Sequence, residues 1–231
     1  MTDPNDGSPN DHAPLRRRLY GRSRGKALRR HQSELLTTLL PTLSIDPALP
    51  LVPRAGRETR LEIGFGGGEH LVAAATAEPD VDFIGCEPFV NGMARLLARI
   101  AAAGLENIRL HQGDAVEVID RLPDASLSRV YLFYPDPWPK RRHRKRRFIS
   151  GENLARLARV MPSGAELRFA TDIDDYSAWT LARLRETPDF AWRATQARDW
   201  LEPWAGWTRT KYESKAIAAG RHPAYLTFIR Q

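Results

Sequence analysis

The order in which apolar runs and glycines succeed one another from Arg60 onward most constrains the fold. Arg60-Leu61-Glu62-Ile63 runs into Gly64-Phe65-Gly66-Gly67-Gly68, and an alanine-rich segment over 70–78 stops at Pro79. A short apolar run reads as a strand. A proline-terminated, alanine-rich run reads as a helix, and the glycines between them allow a tight turn. The alternation then repeats: strand over 81–87, helix over 91–104 with Gly104 at its C-cap, strands over 107–114, 128–134 and 165–172. A helix over 174–186 and strands over 190–196 and 224–230 complete the pattern. Such alternation predicts an α/β fold with a mostly parallel, seven-stranded sheet and helices on both faces. An antiparallel strand near one edge is ordinary in such sheets.

Ahead of this unit the sequence changes character. Residues 1–14 hold three prolines and almost no bulky apolar side chains, which predicts a disordered tail. An arginine-rich arm follows, with Arg16, Arg17, Arg18, Arg22, Arg24, Lys26, Arg29 and Arg30. Leu35, Leu36, Leu39 and Leu40 form a short amphipathic piece, and Pro41 to Pro53 reads as a surface linker. Residues 1–53 are therefore expected to precede a single catalytic domain over 54–231. With 231 residues, 42% of them hydrophobic, the chain can bury a sizeable core.

Several functions are excluded early. A lone cysteine, Cys86, permits neither an intramolecular disulfide nor a cysteine-built zinc site, and six scattered histidines match no metal-ligand spacing. No metal is predicted. No apolar run reaches the ~18 residues of a membrane span. The polar N-terminus has no apolar signal core, so a cytoplasmic protein is expected, as monomer or homodimer.

The glycine loop could cradle a dinucleotide or S-adenosylmethionine. A dinucleotide fingerprint would place glycine at 69, where Glu69 stands. A carboxylate there opposes a pyrophosphate. S-adenosylmethionine has no phosphate and carries a sulfonium, so Glu62 at the end of the first strand can face its charged amino-acid end. Glu87 ends the second strand about 20 residues beyond the loop, where a carboxylate accepts hydrogen bonds from ribose hydroxyls. Asp114 ends the third strand and can reach an adenine amino group. Each acid alone is an ordinary strand-end cap. The ordered set Glu62, Gly64 to Gly68, Glu87 and Asp114 favours the methyl donor.

The fourth strand runs directly into Pro135-Asp136-Pro137-Trp138-Pro139-Lys140. Ligands of open α/β sheets bind beyond the carboxyl ends of central strands, and this strand is expected beside the first. Asp136 is then adjacent to the donor, its backbone restrained by flanking prolines. Trp138 offers a face for a base to stack on. From Lys140 to Arg147 seven of eight residues are Lys or Arg, equal to the whole net charge of +7. A cationic run beside a catalytic loop predicts phosphate binding. Asp172 ends the fifth strand at the same sheet edge. Arg209-Thr210-Lys211-Tyr212-Glu213 mixes a cation, a ring and a carboxylate able to accept from guanine N1–H and N2–H, though alone it reads as an ordinary loop.

Taken in order, LEIGFGGGEHL, FIGCE, GDAVEV, FYPDPWPKRRHRKRR, FATD and TKYE resemble the bacterial tRNA (guanine-N7-)-methyltransferases of the TrmB type across about residues 60–215. The resemblance implies a Rossmann-like class I S-adenosylmethionine-dependent methyltransferase acting on a variable-loop guanine of tRNA. It implies cofactor binding by Glu62, Gly64, Glu87, Asp114 and Asp136, with Asp136 also catalytic. It further implies substrate binding by Lys140, Asp172, Thr210, Lys211, Tyr212 and Glu213. Pro139 stands where the family commonly has histidine, and Tyr212 where it commonly has phenylalanine. Two alternatives are a methyltransferase acting on another RNA or an exocyclic amine, and a non-catalytic RNA-binding protein. The intact acidic set argues against the second.

Overall fold

A computed structural model describes residues 23–231. The expected tail and Arg16, Arg17, Arg18 and Arg22 lie outside the described residues. In chain order the elements are α1 (Arg30–Thr38), α2 (Leu40–Leu43), β1 (Thr59–Ile63), α3 (Glu69–Ala77), β2 (Asp82–Cys86) and α4 (Val90–Ala103). Next come β3 (Ile108–His111), α5 (Ala115–Ile119), β4 (Arg129–Phe133), a 3-10 helix over Arg141–Arg146, α6 (Gly151–Val160) and β5 (Glu166–Thr171). The last are α7 (Asp174–Arg185), β6 (Phe190–Trp192), α8 (Arg198–Leu201), α9 (Lys211–Ala218) and β7 (Ala224–Arg230).

Seven strands form one sheet in the order β3-β2-β1-β4-β5-β7-β6. β1 to β5 pair in parallel, whereas β7 runs antiparallel to both β5 and β6. Alternate side chains feed two cores. Leu61, Ile63, Val130, Leu132, Leu167 and Phe169 point into one, with α5, α6 and α7. Phe83, Leu110, Tyr131 and Phe133 point into the other, with α3 and α4. Cys86 is buried in the first core, where desolvation pushes its thiol pKa up and suppresses the thiolate. Gly104 closes α4 at φ 63°, the C-cap read from the sequence.

The strand order reverses between β1 and β4, whose registers match Ile63 with Leu132. Such a reversal splays the two connections to opposite faces and opens a crevice at the carboxyl edge. The glycine loop and the proline-flanked Asp136 enter that crevice from adjacent strands.

Two segments depart from expectation. The stretch from Pro41 is no free linker: Leu43 and Ile45 are buried, and the Ile45 N–H bonds the Leu110 carbonyl at 2.8 Å. Its apolar residues cover the β3 edge, an unpaired strand edge the protein must protect. The described part of the arm is also docked. Gly25 N–H donates to Asn91 Oδ1 at 2.6 Å, Asn91 Nδ2 donates to the Lys26 carbonyl at 2.7 Å, and Val90 N–H donates to the Ser23 carbonyl at 3.0 Å.

Candidate active site

The glycine loop is built around Glu87. Its Oε2 accepts the Gly66 N–H at 2.8 Å and its Oε1 accepts the Phe89 N–H at 2.9 Å. Gly66 has φ 59°, a left-handed conformation that costs other residues roughly 1–2 kcal/mol. Gly64 N–H bonds the Cys86 carbonyl at 2.8 Å, tying the loop to β2. The Glu69 carboxylate folds back over the start of α3, so that a Cβ on Gly67 would lie 2.5 Å from Glu69 Oε1. The same carboxylate pairs with Arg99 at 3.0 Å, so a negative charge with its own cation stands at the start of α3.

Glu62 is 3% exposed and lies 2.7 Å from His70 Nδ1. Tyr131 and Phe133 meet the His70 ring edge-on, with centroids at 4.7 and 4.8 Å. His70 is not among the residues that the sequence assigns to the site. Its signal was an imidazole in the first turn of a helix that follows a buried strand-end acid. Asp114 Oδ1 accepts the Val116 N–H at 3.1 Å, so the acid expected to meet adenine also caps α5.

Asp136 sits in a turn whose two ends are strained. Tyr134 has φ 48° and Trp138 φ 42°. Strain of this kind persists only where surrounding contacts over-determine it, and it concentrates at functional sites. Asp136 is open to the cleft, yet desolvation by the surrounding protein raises its carboxyl above the ordinary value. Burial likewise raises Glu87, against its two backbone bonds, and the Asp136 charge pushes the same way. Two desolvated acids, one of them further raised by the charge of the other, make a site suited to a cation. Tyr212 reports the same field: burial chiefly, then Glu87 and Asp136, raises its hydroxyl.

The acids named from sequence, Glu62, Glu87, Asp114 and Asp136, share the carboxyl edge of β1 to β4. Tyr212 joins them from α9: a Cβ on Gly66 would lie 3.0 Å from its Cε2. Thr210 and Glu213 are placed differently. They form a capping box at the start of α9, not an open loop. Glu213 is 1% exposed, with Oε2 accepting from Trp207 Nε1 at 2.6 Å and Oε1 accepting from the Tyr225 hydroxyl at 2.5 Å. The carboxylate expected to read guanine edges is therefore committed internally. Asp172 pairs with Arg221 at 2.5 Å, while Lys140 and Lys211 are exposed.

The basic run divides in two. Arg141, Arg142 and Lys145 are exposed, whereas Arg144 pairs with Asp175 at 2.5 Å and Arg147 is 1% exposed. Trp138 is no open stacking platform: the Arg146 guanidinium lies 4.9 Å from its ring centroid and the His143 ring meets it edge-on at 6.0 Å.

S-adenosylmethionine fits these residues. Glu87 and Asp136 bring two carboxylates to the cleft for a cationic donor, and the glycine loop brings backbone close to it. Among the described residues, no cluster of His, Cys, Asp and Glu could hold a metal ion, and no helix is long and apolar enough to cross a membrane.

The comparisons agree with this geometry. Residues 57–226 match a family model described as a putative methyltransferase. A tRNA (guanine-N(7)-)-methyltransferase from Rhodopseudomonas palustris (strain BisA53) is 54% identical over 219 residues, covering 92% of this chain and 88% of that protein. Its counterpart in strain BisB18 is 52% identical, covering 100% of this chain and 94% of the relative. Among solved structures, the 16S rRNA methyltransferase KamB matches with a TM-score of 0.55 at 19% identity, over 75% of this chain and 88% of that one. That similarity carries the class I methyltransferase fold alone, whereas the sequence relatives fix the family: the chain belongs to the tRNA (guanine-N(7)-)-methyltransferases.

Proposed function

We propose that the protein transfers the methyl group of S-adenosylmethionine to N7 of a guanine in tRNA, in the variable loop, in the cytoplasm. The observation that carries this reading is the placement of Asp136. It shares a crevice with Glu87 and immediately precedes the exposed cations Lys140, Arg141, Arg142 and Lys145. An acidic cleft for a cationic donor thus adjoins a cationic surface for a polyanion.

The chain's residues divide the work. Glu87 accepts from the ribose hydroxyls while its other lone pairs hold Gly66 and Phe89. Glu62, braced by His70, faces the methionine end, and Asp114 faces the adenine. The donor supplies an electrophilic methyl on a positive sulfur. Guanine N7 is an acceptor with a free lone pair, so no residue need remove a proton before attack. Asp136 stabilises the positive charge that is shared between sulfur and N7 as the methyl passes, and the rigid turn aligns the two. A-form RNA hides N7 in a deep, narrow groove, so the target is an accessible base of a folded RNA. Tyr212, over the glycine loop, and Lys140 flank the entry for that base. Thr210 and Glu213 serve by fixing α9 beneath Tyr212, and Lys211 and Asp172 border the same edge.

The test is methyl transfer from labelled donor to separate pools of unmodified tRNA and rRNA, followed by nuclease digestion. Labelled 7-methylguanosine from tRNA, mapped to the variable loop by chain cleavage at that base, is the expected product. Label in rRNA or on an exocyclic amine overturns the assignment.

A further inference from the structure

Arg147 closes a run of cations that reads as one continuous phosphate-binding strip, yet it faces inward. Its side chain is fully enclosed, and its Nε donates to the Pro137 carbonyl at 2.8 Å. The guanidinium lies 4.6 Å from the Tyr176 ring centroid and 5.2 Å from that of Trp179. Its Nη2 is hydrogen-bonded and ion-paired with Asp175, and Nη1 reaches the Asp175 carbonyl at 3.4 Å. Tyr176, Trp179 and Asp175 all belong to α7, so one buried cation joins α7 to the residue after Asp136. Trp179 reinforces the joint by donating Nε1–H to the Ile149 carbonyl at 2.8 Å. The hydrogen bond from Arg147 holds the Asp175 carboxyl below its ordinary pKa, as a lasting charge pair would.

The segment Arg147 grips is the one that needs gripping. Tyr134 and Trp138 hold left-handed backbone on either side of Pro135-Asp136-Pro137. At one end, the Tyr134 N–H bonds the Ala170 carbonyl at 2.7 Å. Prolines at 135 and 137 have no N–H with which to anchor themselves. The Pro137 carbonyl is therefore a principal handle on the turn, and a guanidinium's planar fork can hold it while keeping Asp175.

We infer that Arg147 is the positioning residue of Asp136: through the Pro137 carbonyl it sets where the Asp136 carboxylate stands in the cleft, and it contributes no phosphate contact. The inference rests on the proposed methyl transfer. Displacement of a reacting group by about 1 Å can cost on the order of a hundredfold in rate. Loss of the Pro137 bond is therefore read in the chemical step and not in binding.

The experiment uses the full chain with unmodified tRNA and saturating S-adenosylmethionine, in single turnover. Arg147→Lys keeps the charge but cannot reach Pro137 and Asp175 together. Its rate is expected to fall about tenfold or more, with tRNA and donor affinities within about twofold of the parent. Asp175→Asn, at a half-exposed site that leaves the Pro137 bond in place, is expected to fall less. Arg147→Lys added to Asp136→Asn is expected to cost under about twofold more, because its effect passes through the carboxylate already lost. A general loss of structure would instead add to any background and lower binding too. Full additivity overturns the inference, as does parental turnover by Arg147→Lys. In Arg147→Gln, a drop of about 0.7 in the tRNA salt slope overturns it by revealing a phosphate contact. If the unmutated protein fails to methylate tRNA, the proposed function itself is wrong; if it turns over and Arg147→Lys matches it, only the role of Arg147 is.

Discussion

Glu87 accepts the Gly66 N–H across 2.8 Å, so the acid proposed to face the ribose also holds the glycine loop in shape. Binding and loop geometry cannot be separated at this residue. Glu87→Ala is expected to lose about 1–3 kcal/mol of S-adenosylmethionine affinity, through both the lost ribose bonds and the two freed N–H groups. Isothermal calorimetry reads this directly. Unchanged affinity, or tight binding of NAD by the unmutated protein, contradicts the assignment.

The same burial gives donor binding a pH dependence. Desolvation and the Asp136 charge raise the Glu87 carboxyl above 4.5, its ordinary value. The folded protein then holds a proton that the unfolded chain has released. Stability from this group accordingly falls as pH rises through the window between the ordinary and raised values. Donor affinity is expected to run the other way, since the proposed ribose contact uses the ionised carboxylate. Affinity is expected to weaken on acidification while the pH is still above 4.5. In Glu87→Gln that part of the dependence disappears. An affinity flat down to pH 4.5 in the parent would remove the basis for the argument.

Much of this site was legible because its signals are local. The run from Leu61 to Gly68, the stop at Pro79 and the prolines around Asp136 each fix a few adjacent residues, and strand order then brought β1 beside β4. Inward-facing charge was not legible. Nothing adjacent distinguishes Arg147 from Arg146; its partner Asp175 lies 28 positions away. Glu213 reads as a free carboxylate until Tyr225, 12 positions on, and Trp207 are folded against it. A missed local signal was also present: Thr210-Lys211-Tyr212-Glu213 has the T-x-x-E spacing of a capping box, which predicts the start of α9.

The outer cations of the basic run should carry RNA affinity. Neutralising Arg141, Arg142 and Lys145 to Gln removes three exposed charges and none of the internal pairs made by Arg144 and Arg147. If each meets a phosphate of unpaired RNA, the log–log salt slope falls by about 2. Donor affinity stays unchanged. A filter-binding salt series with the parental slope would make these residues a solvated face.

Gly92 presents two opposed effects. It lies within α4, where alanine is favoured by about 1 kcal/mol on helix propensity. A Cβ there, however, would lie 2.3 Å from the Gly66 carbonyl oxygen and 3.3 Å from Glu87 Cγ. Backbone cannot yield as a flexible side chain does, so the overpacking cost of about 1–3 kcal/mol wins. Gly92→Ala is expected to lower Tm and to weaken donor binding through the displaced loop. Thermal unfolding with a raised Tm would mean that the loop does not approach α4 this closely.

Asp136→Asn isolates charge from shape. The amide keeps the volume and most hydrogen-bonding capacity but presents no negative charge to the sulfonium or to N7. If that charge stabilises the transition state, the single-turnover rate falls roughly 100-fold or more at saturating donor and tRNA. Binding of tRNA should change little, because that role is assigned to the exposed cations in the proposed function. Donor affinity weakens modestly, and Glu87 titrates closer to its ordinary value, because the charge that opposed its ionisation is gone. The acid limb of donor binding therefore moves to lower pH in this variant, a readout independent of turnover. A near-parental rate with an unmoved limb would leave Asp136 as a turn residue with no electrostatic part in the reaction.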